Sequence, residues 1–119
     1  RASLNTTAMQ EATQRLLGLH DFTSFCVAAS EKENRLCHVF SCNLDKQENG
    51  FRISIEANRF LRAMVRGIVG TLIQVGRGTL RPEDLTIILE ARDRQCAGPN
   101  APPQGLFLEH VYYEVPPGG

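Results

Sequence analysis

Between Arg35 and Ala57 the chain carries two alternating runs around one polar turn, and few folds accommodate such a pattern. Leu36, His38, Phe40, Cys42 and Leu44 recur at every second position, as do Phe51, Ile53, Ile55 and Ala57. A period of two belongs to strands with one buried face, and "DKQENG" between the runs supplies turn formers. The spacing predicts an antiparallel hairpin of strands 35–44 and 51–57. It also puts Cys37 and Cys42 on opposite faces of the first strand, because their separation is odd.

The period changes at once in "ANRFLRAMVRGIVG". A helix is expected from about Asn58 to Val75, with Phe60, Met64, Ile68, Leu72 and Val75 buried. At helical spacing Arg59, Arg62, Arg66 and Arg77 form a stripe opposite that apolar face. Ala63, Gly67 and Gly70 border the stripe and keep it low, so that another backbone or a ligand can approach closely. A helix kept only for stability has no use for interior glycines, each costing roughly 1 kcal/mol against alanine. No acidic residue lies between Arg59 and Arg77 to pair with the stripe. The stripe is therefore expected to receive anions, either phosphates or a carboxylate from another segment.

The flanks complete the outline. A helix over 5–17 has Asn5 as its N-cap and Gly18 as its stop. In "HDFTSF", Asp21 caps a short turn that anchors Phe22 and Phe25 inward. Pro82 opens a helix to about Arg92, with Glu83 and Asp84 in its first turn. "CAGPNAPPQG" reads as a loop, 106–113 as a final strand and "PPGG" as a tail. The class is α+β: a small antiparallel sheet with helices packed on one face.

Composition excludes more than it selects. The 119 residues, 42% apolar and 22% charged, suit one globular domain. No apolar run reaches the ~18 residues a bilayer demands. Thirteen basic and thirteen acidic residues exert no global pull toward nucleic acid, yet only Lys32 and Lys46 among the basic ones are lysine. The guanidinium fork suits carboxylates and phosphates, so local arginine clusters outweigh the net charge. Cys26, Cys37, Cys42 and Cys96 lack a C-x-x-C pair and read as buried, reduced thiols, while His20, His38 and His110 are scattered. No metal site is expected. The chain opens on "RASLN" rather than methionine, which reads as a piece of something longer.

"LHDFTSF", "IEANRFLRAMVRGIVGTLIQVGRG", "ILEARDR" and "APPQGLFLEHVYYE" together resemble the C-terminal half of the bacterial tRNA pseudouridine synthase A family. The matches follow the family's order over nearly all of residues 5 to 114. The resemblance implies the ferredoxin-like, RRM-like half of a pseudouridine synthase fold. It implies an isomerase that turns uridine into pseudouridine at positions 38 to 40 of the tRNA anticodon stem-loop. It implies no cofactor, and a homodimer in the bacterial cytoplasm. The family's catalytic aspartate lies in a G-R-T-D-x-G-V-H block of its N-terminal half, and no such block occurs in this sequence. Its tyrosine that packs on the base also belongs to that half. The fragment alone is therefore expected to be inactive. Arg66 matches the basic residue that pairs with the aspartate, and Leu106 the apolar residue that packs on the target base. Asn58, Arg59 and Arg62 are expected to face the RNA, as is Arg35 at the start of the strand after "DFTSF".

Two other readings compete. One is a stand-alone RNA-binding or interaction module with the fold and without the chemistry. The other is a metabolic enzyme that uses His20 and Asp21 as an acid–base pair, although adjacent residues seldom aim at one reacting atom.

Overall fold

The computed structural model describes residues 4–27, 34–48, 50–101 and 108–113. Along the chain come α1 (Thr6–Thr13), a 3-10 turn (Gln14–Leu16), β1 (Gly18–Asp21), a second 3-10 turn (Thr23–Phe25), β2 (Leu36–Gln47) and β3 (Gly50–Ala57). After them come α2 (Met64–Gly76), α3 (Asp84–Ala91), a third 3-10 turn (Arg94–Cys96) and β4 (Leu108–Tyr113). The strands lie in the order β1-β2-β3-β4. The hairpin forms as expected, β2 antiparallel to β3 with Gln47 opposite Gly50. β1, which the sequence reading passed over, adds antiparallel to β2. β4 joins the other side and runs parallel to β3. The fold is α+β.

The alternation along β2 breaks where the sequence reading assumed it continuous. Val39 stands opposite Ala57 and Ser41 opposite Glu56, so the register slips at Phe40. Such a bulge sends the residues on either side of it to opposite faces for the same parity. Cys37 and Val39 point inward before the slip, Cys42 and Leu44 after it, and Leu36, His38 and Phe40 are exposed. Cys37 and Cys42 therefore share the buried face, contrary to the parity argument. Cys26 is buried too, but Cys96 is exposed, so only three of the four thiols fit the buried expectation. Among the described residues no cluster of His, Cys, Asp and Glu could hold a metal ion.

The inward face of β2 and β3 packs on the helices through one core that includes Met9, Leu16, Phe22, Phe25, Ile53, Ile55, Met64, Ile68 and Leu72. α1 is capped as expected: the Asn5 side chain accepts a 3.0 Å bond from the Ala8 amide. Where β2 runs on past β1, glutamines of the first helical segment take the place of a neighbouring strand. Gln14 donates to the Cys42 carbonyl at 3.0 Å, and the Leu44 amide donates to Gln10 Oε1 at 2.6 Å. Paired backbone at an exposed edge no longer templates association. No described helix is long and apolar enough to cross a membrane.

The helix expected from Asn58 begins only at Met64, since Ala63 sits at φ 60° in the left-handed region. The preceding segment is held by other partners. Asn58 exchanges two bonds with the His38 backbone, its amide donating at 3.0 Å and its Oδ1 accepting at 2.8 Å. The Arg62 carbonyl accepts from the Val27 amide at 3.0 Å. These tertiary bonds override helical propensity. Met64, Ile68, Leu72 and Val75 are buried as expected, whereas Phe60, ahead of the helix, is only half-buried. Arg59 and Arg62 are not on α2, so the four-arginine stripe does not exist.

Candidate functional site

The two interior glycines of α2 do have a purpose, but the guest is the chain itself. Gly67 lies against the backbone of Phe25, where an added Cβ would stand 2.3 Å from the Phe25 carbonyl oxygen. Gly70 lies against the loop after the third 3-10 turn, where a Cβ would stand 1.7 Å from the Pro99 carbonyl oxygen. Only glycine permits backbone at that distance. The low border is filled by the "DFTSF" turn and by residues 97–101.

Both packed segments are further fastened. Asp21 Oδ1 accepts from the amide and the hydroxyl of Thr23, as its capping role requires. Buried Ser24 donates to the Ile88 carbonyl at 2.7 Å and accepts from the Asp93 amide at 2.8 Å, tying the turn to the end of α3. On the other side, buried Thr71 donates to the Gly67 carbonyl at 2.8 Å and accepts from the Gly98 amide at 3.0 Å.

Arg66 meets the same loop. Its Nε donates to the Ala101 carbonyl at 3.0 Å, and its own carbonyl accepts from the Ala101 amide at 3.0 Å. The side chain is half-buried. Among the described residues no carboxylate reaches it, and its terminal nitrogens bond to none of them. A planar fork held at Nε with both Nη atoms open is suited to a planar anion.

The other sequence-predicted arginines go elsewhere. Arg59 Nη1 donates to the carbonyls of Asn34 (2.6 Å) and Leu36 (3.2 Å), which brackets Arg35 and pins the start of β2. The Arg35 carbonyl in turn accepts from the Phe22 amide at 3.0 Å. Arg62 is exposed. Arg35 and Arg59 are thus brought together, while Arg66 belongs to the 97–101 loop. Leu106 lies outside the described residues.

His20 and Asp21 line a pocket of about 450 Å³ beside β1, together with Leu19, Leu36, Leu89, Glu90 and Arg92. His20 Nε2 is 2.7 Å from the Leu17 carbonyl, and Arg92 Nε is 4.0 Å from Asp21 Oδ2. Both members of the supposed acid–base pair are engaged with groups of their own neighbourhood.

A family profile described as tRNA pseudouridine synthase matches residues 12–114. That match covers most of the chain and most of its described elements. The chain belongs to the tRNA pseudouridine synthase family. Relatives named tRNA pseudouridine synthase A include one from Bacillus subtilis, 40% identical over 111 residues, which are 93% of this chain and 45% of the relative. One from Geobacillus kaustophilus is 42% identical over 112 residues, 94% of this chain and 43% of its own. One from Chlamydia trachomatis is 41% identical over 116 residues, 98% and 43% respectively. The chain spans less than half the length of these synthases.

Several residues of the site went unread in the sequence. Thr71 and Ser24 are buried hydroxyls amid apolar residues, a pattern that signals a backbone partner without naming it. Arg94 donates to the Gly98 carbonyl at 2.7 Å and to Asn100 Oδ1 at 2.8 Å. Its closeness to a Pro- and Gly-rich loop was the available signal.

Proposed function

We propose that this chain is the C-terminal half of a tRNA pseudouridine synthase, an isomerase that converts uridine to pseudouridine in the anticodon stem-loop at positions 38 to 40. The observation that carries the reading is Arg66. It is half-buried on α2, held at Nε by Ala101, and its Nη atoms bond to no described residue. Such a fork supports pairing with a carboxylate supplied by an N-terminal half. In that pairing Arg66 keeps the aspartate ionised by offsetting its desolvation, so that it stays a nucleophile at neutral pH. Arg62, and Arg35 and Arg59 around the start of β2, extend the positive surface toward the RNA backbone, with Asn58 holding the end of β3 beside them. Leu106 packs on the target base. The reaction needs no cofactor, and the whole enzyme acts as a cytoplasmic homodimer.

The test is release of tritium from 5-tritiated uridine in unmodified tRNA. The 119-residue chain alone should release none, and the protein that includes its upstream coding sequence should release it. Release by the chain alone would place the nucleophile within it and overturn the assignment. An upstream sequence without a G-R-T-D block would favour a binding module instead.

A further inference from the structure

Arg66 is aimed by a carbonyl, and that carbonyl belongs to a loop. The question is what holds the loop. α2 grips it from one side: Thr71 takes the Gly98 amide, Gly70 admits Pro99, and the Arg66 carbonyl takes the Ala101 amide. These contacts fix the loop's distance from the helix. They leave the Gly98 carbonyl and the Asn100 side chain to another element.

Arg94 supplies it. The third 3-10 turn is capped by Asp93, whose Oδ1 accepts from the Gln95 amide at 2.9 Å. From that fixed base the Arg94 fork reaches across the loop. Nη1 donates to the Gly98 carbonyl at 2.7 Å and Nη2 to Asn100 Oδ1 at 2.8 Å. Among the described residues Arg94 has no carboxylate partner. An arginine at the surface ordinarily stays hydrated or pairs with an acid. This one is half-buried and devoted to two neutral acceptors, two residues apart, just before Ala101. Two short bonds in the plane of a rigid fork define orientation as well as distance.

We propose that Arg94 is a positioning residue for Arg66: its grip on Gly98 and Asn100 orients the Ala101 carbonyl, which aims the Arg66 guanidinium. The inference rests on the functional reading of Arg66 given above. An arginine side chain has four flexible torsions, so the bond at Nε narrows the orientations in which both Nη atoms present themselves. A displacement of about 1 Å at a reacting centre can cost on the order of 100-fold in rate. Arg94 therefore acts on turnover through Arg66 and not through contact with tRNA.

Two measurements test this. In the 119-residue chain with ¹⁵N-labelled arginine, the Arg66 Nε–H resonance, assigned by its loss in Arg66→Lys, should exchange slowly with solvent. It should exchange at least about 10-fold faster in both Arg94→Gln and Asn100→Ala, the second variant serving if the first unfolds. An unchanged Arg66 resonance overturns the proposal, whatever the activity. In the full-length synthase, Arg94→Gln should lower kcat by about 10- to 100-fold with tRNA Kd within twofold of wild type. Adding Arg94→Gln to Arg66→Lys should cost little further, because residues acting in series are non-additive. Additive losses, or weakened tRNA binding with kcat intact, overturn the proposal while leaving the assignment of function standing. An inactive wild-type synthase would instead strike the functional reading, and the resonance measurement would still decide whether Arg94 positions Arg66.

Discussion

A Cβ placed on Gly70 would stand 1.7 Å from the carbonyl oxygen of Pro99, which makes this glycine a seat for the loop and not a point of flexibility. The obstructing atom is backbone, already held by Arg94, Thr71 and Arg66 on either side, so it cannot swing away as a side-chain tip would. Gly70→Ala should therefore cost at least the 1–3 kcal/mol of ordinary overpacking, roughly. Gly67→Ala, at 2.3 Å from the Phe25 carbonyl oxygen, should cost about as much. Gly78→Ala, where nothing lies within 4 Å, should show only the strain of its φ of +84°. Urea unfolding of the three variants checks the order.

The same glycines show where sequence reading stops. Their presence in an apolar helix correctly announced a close approach, because only packing repays their propensity cost. What approaches was not legible, because helical spacing says nothing about which segment lies outside the helix. The wheel also failed below Met64. It presumed helical φ and ψ from Asn58 onward, while Asn58, Arg62 and Ala63 spend their backbones on His38, on Val27 and on a left-handed turn. The β3 face was read correctly since its alternation is unbroken. β2 misled because one extra residue at Phe40 inverts parity, and a bulge leaves no mark in a hydrophobic pattern. β1 escaped notice because four residues are too short to show a period.

Arg66 and Arg62 should separate chemistry from binding. In the full-length synthase Arg66→Ala would leave the carboxylate proposed as its partner uncompensated, at roughly 3–5 kcal/mol if the pair is fully buried. The carboxylate can relieve part of that by binding a proton, which also removes it as a nucleophile. Turnover should fall by about 100-fold or more with tRNA affinity little changed. The exposed Arg62 side chain has no partner among the described residues, so Arg62→Ala should weaken binding and lower the salt slope by about one. Its turnover at saturating tRNA should stay near wild type. The opposite split, with Arg66→Ala binding poorly and turning over normally, would make Arg66 a phosphate contact.

Arg59 should behave differently from Arg62 although they are three residues apart. Its Nη1 already holds the Asn34 and Leu36 carbonyls, so removing it unfastens the entry to β2. Arg59→Ala should lower stability by about 1 kcal/mol, the net worth of a bond made at a partly exposed site. Hydrogen exchange at the Leu36–Val39 amides should accelerate ahead of the rest of the sheet. If exchange there is unchanged while tRNA binding drops, the side chain serves RNA alone.

Cys42 should contribute to the alkaline edge of stability. Burial on the inward face of β2 disfavours the thiolate and pushes its pKa from 9.0 up to about 12. The unfolded chain loses that proton near the ordinary value and the folded chain only near the raised one. A group whose folded pKa is raised contributes its stability fully below the unfolded pKa and loses it as pH climbs to the folded one. Stability from this residue is therefore intact at pH 8 and drains between about pH 9 and pH 12. Three units correspond to at most about 4 kcal/mol. Cys42→Ala removes the titrating group and leaves a small apolar side chain, so its unfolding free energy should fall less steeply over that window than that of wild type. At pH 8 a thiol reagent should label exposed Cys96 and spare Cys42 until the protein is unfolded. Parallel alkaline slopes for the two proteins would show that Cys42 does not carry the effect.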